Sequence, residues 1–551
     1  MKKQLQSAFV IAMLSAGAVS AQKFQWAAMV NAPGTAGTYG LVADTAGNTI
    51  AVGQYQGTGS TFGSFDLSSV AGTMDVFIEK LNSSGTVLWA QSAGGSGSDN
   101  ANAVVLDALG NSYVVGTIGD TATFGSHVLN YNGGGFIAMY NSTGVCQWAT
   151  YIPAGYVRKV VLDGSDNLYV TGNYTGTMTI ASNTLTSVGS EDIFVAKYNN
   201  TGTALWAVSM GGPNDEGAGI GSLTVDKSGN VYVANDITGH GMVGTLKVVA
   251  KGTDSLAIFV AKYGTNGNFI WAKQADDSTS WANDITWSKK MNALYITGSL
   301  TGGASFGTVK IGPATTTYYN PYVVEMDTAG TFGWGLVGTC TSWAKGSAVT
   351  TDTAGNVYAT GYQYGTIDLG GAGNLALASG AGFDANILKA NAEGVWQWGK
   401  VTGNDEFVYN DGIAISTDKA GNVYQGARMY GSSTFDGHAL SAGFSLCEAY
   451  VCQLNPAVST AGISENTLFA DVSIYPNPVS GNLNIHINTS EIQTVLVQVL
   501  SVNGQLVYGE KLNVAAGENS TSITTDTYAK GLYFIQLITE KGSVTKKVVV
   551  E

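Results

Sequence analysis

One short phrase recurs along the 551-residue chain at nearly constant spacing, and it limits the fold more than any other feature. Asp44-Thr-Ala-Gly-Asn48 leads into a strand-like run ending at Gly53. Asp107-Ala-Leu-Gly-Asn111 does the same before Gly116, and Asp163-Gly-Ser-Asp-Asn167 before Gly172. Asp226-Lys-Ser-Gly-Asn230, Asp352-Thr-Ala-Gly-Asn356 and Asp418-Lys-Ala-Gly-Asn422 follow, with a degraded copy from Lys289 to Gly298. Successive starts lie 63, 56, 63, 63, 63 and 66 residues apart. Such regularity marks a repeat architecture rather than a series of unrelated domains.

Between these turns lies a second element. Asp192-Ile-Phe-Val-Ala-Lys-Tyr198 alternates sides as a strand does, turns through Asn199-Asn-Thr-Gly202 and returns as Thr203-Ala-Leu-Trp-Ala207. Related hairpins end at Trp89, Trp148, Trp271, Trp334 and Trp398. Each repeat thus offers four antiparallel strands. Charged residues make up only 12 % while Gly reaches 74, as expected of short strands joined by tight turns. The expected fold is all-β: a seven-bladed β-propeller over residues 22–456. The phase of the chain ends supports a closed ring. Lys23-Phe-Gln-Trp26-Ala27 is a Trp strand with nothing before it, and Glu448 to Leu454 is a penultimate strand with no Trp strand after it. Pairing the two would remove both open edges.

Asp-x-x-Gly-Asn-x-Tyr-Val-x-Gly and the Asp-Ile-Phe-Val-Ala-Lys-Tyr segment resemble the SBBP-type β-propeller repeat of bacterial exported proteins, over residues 24 to 455. That resemblance implies no single activity. At the start, Met1-Lys2-Lys3, an apolar run from Ala8 to Val19 and the small residues up to Ala21 have the three parts of a secretory signal. The run is too short to span a bilayer, which needs roughly 20 residues. Cleavage is expected between Ala21 and Gln22, leaving a mature chain without a transmembrane segment.

Periodicity changes after Pro456, and residues 457–470 read as a linker. Beyond it stand Ile474-Tyr-Pro-Asn-Pro478, Gly481-Asn-Leu-Asn-Ile485, Val499-Leu-Ser-Val-Asn-Gly504, Gly531-Leu-Tyr-Phe-Ile-Gln-Leu537 and the tail Lys546-Lys-Val-Val-Val-Glu551. In this order they resemble the type A sorting domain of type IX secretion, expected as a small C-terminal β-sandwich over 471–551. The resemblance implies an exported protein of Bacteroidetes type and the type IX machinery as a partner. It also implies delivery to the outside or the cell surface, after which the domain is normally removed.

Composition removes several function classes. The net charge of −14 lacks the basic footprint that nucleic acid requires. Arg158 and Arg428 are the only arginines, so an arginine cluster that grips carboxylates, as a sialidase needs, cannot be assembled. Cys146, Cys340, Cys447 and Cys452 lack zinc-ligand spacing and read as small buried residues, with a bridge as the lesser alternative. The Asp-x-x-Gly-Asn turns lack the alternating acids and distal Glu of a calcium loop, and turn chemistry explains them better. No catalytic motif, metal set or cofactor site is recognisable. Asp99, Asp215, Glu216, Asp276, Asp405 and Glu406 precede first strands and read as solvated loop acids.

One feature departs from scaffold. The loops after the Trp strands and the long loops after the Tyr strands should emerge on one face, opposite the Asp and Asn turns. That face carries Tyr156, Trp281, Trp343 and Tyr409, each seven to nine residues before a repeat Asp position, with Asp284 and Asp411 close by in sequence. Planar rings beside carboxylates suit sugars, through CH-face contact and hydroxyl acceptance. The expected function is a non-catalytic binding module for a glycan or a surface protein. A secreted polysaccharide-active enzyme using carboxylates on that face, or a purely structural surface protein, are the alternatives.

Overall fold

The computed structural model describes residues 22–455 and 471–551, apart from 154, 215, 217–220, 252–255, 276–279, 313–317, 371–375, 381, 403–408, 443–445, 490–491, 502–505 and 540–541. The expected cleavage residue Ala21, the linker 457–470 and the acids Asp215, Asp276, Asp405 and Glu406 lie outside the described residues. The chain forms two compact units, Gln22–Pro456 and a second containing Ala457–Glu551.

The larger unit is built of antiparallel strands in a recurring order. In the second repeat these are Asn100–Leu106, Ser112–Ile118, Gly134–Tyr140 and Cys146–Ile152, paired side by side in chain order. Seven such four-strand sets occur. The seventh comprises Tyr409–Thr417, Val423–Tyr430, Cys447–Asn455 and, as its outer strand, the N-terminal Lys23–Met29. Lys23 stands opposite Asn455 and Met29 opposite Tyr450. Apolar side chains collect between successive sheets. One cluster joins Val115 and Ile137 to Val170 and Phe194, and another joins Ala51 and Phe77 of the first sheet to Tyr424 and Val451 of the seventh.

Each repeat Asp holds its own turn. Asp44 Oδ1 accepts the backbone N–H groups of Ala46 and Asn48, and its Oδ2 accepts the Asn48 side-chain amide. Gly47 takes the left-handed conformation at φ 82°, which a side chain would strain. In the third repeat Asp166 takes that place at φ 58°. Further along, Tyr232 donates its hydroxyl to Asp226 Oδ2 at 2.9 Å. Burial works to raise the Asp226 carboxyl, but hydrogen bonds from Asn230 and Tyr232 outweigh it and hold it below its usual value.

The loops expected after the second strands are ordered two-stranded hairpins, among them Thr58–Phe62 with Phe65–Ser68 and His240–Val243 with Leu246–Val249. Alternation over three or four residues around a tight turn, as in Phe62-Gly63-Ser64-Phe65, is too short to stand out in sequence. These hairpins reach back to the preceding sheet. Ala122 pairs with Gly95, Met242 with Gly211, and Cys340 with Ile367. Thr61 pairs in the same way with Asn31, just after the N-terminal strand.

At six junctions among the described residues a sheet is also stapled to the next by its Trp. A Cβ on Gly144 would lie 2.7 Å from the Trp89 ring, one on Gly267 2.9 Å from Trp206, and one on Gly85 2.6 Å from Trp26. The indoles donate to turn carbonyls, Trp206 to Thr265 at 2.9 Å and Trp26 to Ser83 at 3.0 Å. Trp26, from the chain start, therefore makes the contact that internal repeats make. Where the sixth sheet meets the seventh, Lys400 Nζ reaches the Gln22 carbonyl and Asp436, both at 2.7 Å.

In the smaller unit, a three-stranded sheet (Asp471–Tyr475, Asn482–Thr489, Gly517–Thr524) and a four-stranded sheet (Leu506–Val514, Gln493–Ser501, Gly531–Thr539, Gly542–Val550) share one core. Leu483, Ile485, Val497, Ile535 and Leu537 form its centre. Along Asn482–Thr489 every second residue is buried, as a two-layer arrangement demands.

Trp26→Ala should lower the larger unit's stability by about 3 kcal/mol, as Trp206→Ala should at an internal junction. Urea unfolding of the two variants checks this, and an unchanged midpoint for Trp26→Ala would overturn the stapling role of the N-terminal strand. A cavity of about 290 Å³ beside the same strand is lined by Ala28, Met29, Ser64, Thr86 and Glu79. Burial pushes the Glu79 carboxyl from its usual 4.5 up to about 8. A carboxyl raised on folding costs nothing below its unfolded pKa and progressively destabilises as pH rises toward its folded one. Glu79→Gln should therefore raise the melting midpoint at pH 9 and leave it nearly unchanged at pH 4; the reverse pattern would refute the assignment.

Candidate functional site

The first strands of all seven sheets line one cavity of about 220 Å³. Among the described residues six of them carry a β-bulge, at Tyr39, Asn102, Arg158, Asn283, Ser347 and Ile413. In several of these sheets a Gly faces the strand closely: a Cβ on Gly116, Gly172 or Gly298 would collide with the carbonyl oxygen of Asn100, Tyr156 or Trp281, while the seventh sheet keeps its bulge with Ala427 at that place.

Asp284 belongs to this cavity wall and not to the aromatic loops where sequence reasoning put it. Its carboxylate is buried and receives Lys159 Nζ of the third sheet at 2.9 Å, the Ser222 hydroxyl of the fourth and the Val349 N–H of the sixth at 3.0 Å. One side chain thus joins four sheets. The bulge after residue 282 turns it inward, a register change that no sequence period reveals.

Two residues before the bulge the scaffold stops repeating. Tyr156, Trp281, Lys345 and Asp411 occupy that place in the third, fifth, sixth and seventh sheets. Trp343 and Tyr409 lie two residues earlier still. Trp281 meets Tyr319 at 4.7 Å between ring centroids, and Tyr319 meets Trp343 at 5.1 Å. Trp343 stands opposite Tyr364 in the sheet, Tyr364 meets Phe383 at 5.2 Å, and Phe383 meets Tyr409 at 5.3 Å. The result is a run of rings across the fifth, sixth and seventh sheets, with Trp343 42 % exposed and Tyr364 41 %.

Of the sequence-predicted residues, Trp281, Trp343, Tyr409 and Asp411 come together here. Tyr156 lies apart in the third sheet, its ring under the Arg158 guanidinium at 4.8 Å. Sequence reasoning missed Tyr318, Tyr319, Tyr362, Tyr364 and Phe383. Tyr362 and Tyr364 continue the second strand beyond the repeat Gly361, where the motif no longer draws attention to them.

Charge lies beside the rings. Arg428 Nη2 donates to Asp411 Oδ2 at 3.2 Å, and the two residues face each other across neighbouring strands. Burial raises the Asp411 carboxyl, while Arg428 and Lys345 oppose that rise. Burial lowers the Lys345 ammonium, opposed by Asp411. Tyr362, opposite Lys345 in the sheet, is pushed up to about 12, by burial first and then by the Asp411 charge.

Two acids read as solvated are buried: Asp99, 1 % exposed, and Glu216, 0 %. Asp99 accepts the Gly95 and Gly119 N–H groups, both at 2.8 Å, tying a loop together. A residue that precedes a strand looks like a loop acid in sequence, but here the returning hairpin covers it. All four cysteines are buried and free.

Comparison with known proteins gives one family match. Residues 473–551 match the secretion system C-terminal sorting domain. The chain is thus marked for type IX secretion to the cell surface or the outside. Among the described residues no helix is long and apolar enough to cross a membrane. An uncharacterized WD repeat-containing protein of Acanthamoeba polyphaga mimivirus is 24 % identical over 400 residues, 57 % of this chain, and the match spans 28 % of that relative's length. Similar solved structures include an ulvan lyase bound to a GlcA–Rha3S saccharide, with TM-score 0.35, 11 % identity and coverage of 76 % of this chain and 97 % of that one. Another is an arabinoxylan arabinofuranohydrolase from Bacillus subtilis, with TM-score 0.27, 12 % identity and coverage of 94 % and 95 %.

Deleting residues 471–551 should leave Gln22–Pro456 folded but retained in the periplasm. Surface proteolysis and cell fractionation check this, and wild-type surface levels of the truncated chain would contradict it.

Proposed function

We propose that this chain is a secreted, seven-bladed propeller of the SBBP-repeat kind, closed by its N-terminal strand, that binds glycans on the aromatic face of its last three blades. Trp26 bridging to Gly85, and a cavity shared by seven first strands, support the closed ring. The observation that carries the binding reading is the ring series from Trp281 through Tyr319, Trp343, Tyr364 and Phe383 to Tyr409. These rings occupy the positions where the scaffold ceases to repeat, so shared blade packing does not account for them. Exposed rings in series offer flat apolar contact to successive sugars.

Binding is favoured over hydrolysis by the placement of the perturbed acids. Catalytic carboxyls would be expected to gather in one cleft with separated pKa values. Asp75 and Asp99, both pushed up to about 6 by burial, and Glu448, pushed up to about 7, are engaged by backbone N–H groups away from the rings. Among the described residues Asp411 is the carboxyl beside the rings, and it is held by Arg428.

A glycan array probed with residues 22–551 tests the reading. Trp343→Ala and Trp281→Ala should each weaken a bound glycan at least several-fold, since a ring lost from a binding surface commonly costs more than ~1 kcal/mol. Thermal midpoints should stay near wild type. Unfolding by either substitution, or unchanged affinity for a demonstrated glycan, would count against this face.

A further inference from the structure

We infer that the aromatic face selects acidic sugars, with Lys345 and Arg428 receiving the carboxylate or sulfate of a ring stacked beside them. The inference rests on the glycan-binding reading above and specifies its ligand class. Three observations carry it. Lys345 occupies, in the sixth sheet, the repeat position held by Trp281 in the fifth and Asp411 in the seventh. It follows Trp343 by two residues on the same strand, so both project to the same side of the sheet. Among the described residues its ammonium makes no hydrogen bond or ion pair; its charged surroundings are Asp411 and Arg428. Arg428, one of two arginines in the chain, uses Nη2 on Asp411 and leaves its buried Nε without a partner.

Among the described residues, two cations and one carboxylate stand next to the rings, in a chain whose overall charge is −14. A cation withdrawn from water without a partner is costly, and an incoming anion relieves that cost. The guanidinium fork suits the two oxygens of a carboxylate or sulfate. Tyr409 and Tyr39 hydrogen-bond to this guanidinium, and Tyr362 lies beside the same charges with a hydroxyl for a sugar oxygen. The negative charge of the rest of the molecule repels long polyanions, which favours short acidic oligosaccharides or chain ends over extended polymers.

The test uses residues 22–551 and calorimetric titration at 50 and 300 mM salt with three probes: a mannuronate tetrasaccharide (carboxylate), a κ-carrageenan tetrasaccharide (sulfate) and isomaltotetraose (neutral). At least one acidic probe should bind more tightly than the neutral one and weaken at the higher salt. Lys345→Gln should reduce that affinity about tenfold, as expected for a lost charge-assisted contact. Its melting midpoint should be equal to or above wild type, because a half-buried cation without a hydrogen-bond partner is removed. Arg428→Lys keeps a charge for Asp411 but loses the fork, and should weaken the acidic probe with little change in fold. If the neutral probe binds as well as both acidic ones, or Lys345→Gln leaves acidic affinity unchanged, the charge inference fails while the aromatic reading stands. If no probe binds and the array is blank, both fall.

Discussion

The contact on which the larger unit depends is an indole laid against a glycine. At six junctions the Trp of a fourth strand covers the Gly of the next repeat's turn, and several donate their N–H to a carbonyl of that turn. The glycine is required twice, since Gly144 stands at φ 84° and leaves no room for a Cβ beneath Trp89. Because the contact joins one repeat to the next, it does not stabilise any sheet alone. It makes adjacency the condition for burial, and the same holds for the apolar clusters shared between neighbouring sheets. Trp26 extends the rule to the chain start. Where the termini meet and no Asn turn exists, Lys400 holds Gln22 and Asp436 instead.

A scaffold fixed in this way frees other positions. The Asp turn, the Tyr hydroxyl that donates to its Asp and the Gly beneath the Trp each serve local geometry. Two residues before the bulge, the demands lapse and the side chains diverge into Tyr156, Trp281, Lys345 and Asp411. Binding surfaces on repeat scaffolds arise at positions of this kind, because rigid strands present them while packing does not dictate their identity. The rings of the fifth to seventh sheets and the Lys345–Asp411–Arg428 charges share one short stretch of this divergent zone.

Much of the fold was legible in the sequence because its causes are local and repeated. Asp-x-x-Gly-Asn specifies a turn, two-residue alternation specifies strands, and the phase of Trp26 against Leu454 specifies which edges lack partners. The two-stranded hairpins were not legible, since three or four alternating residues on each side of a turn look like loop. For the same reason Asp99, covered by the returning chain, read as a solvated acid.

The candidate site divides along the same line. The sequence alone determined that Trp281, Trp343, Tyr409 and Asp411 lie outside the repeated motif and near strand ends, and that only two arginines were available. Tertiary structure decided which of these residues meet. Tyr319, Tyr362, Tyr364 and Phe383 join the rings through contacts between strands distant in the chain, for which no period exists. Asp284 went instead to the inner wall, to Lys159 and Ser222, because a one-residue bulge reverses which side a strand residue faces. Periodicity reports the local path of the chain, but side-chain partnership is set by register and by the approach of separate sheets, and those exist only once the sheets have packed against one another.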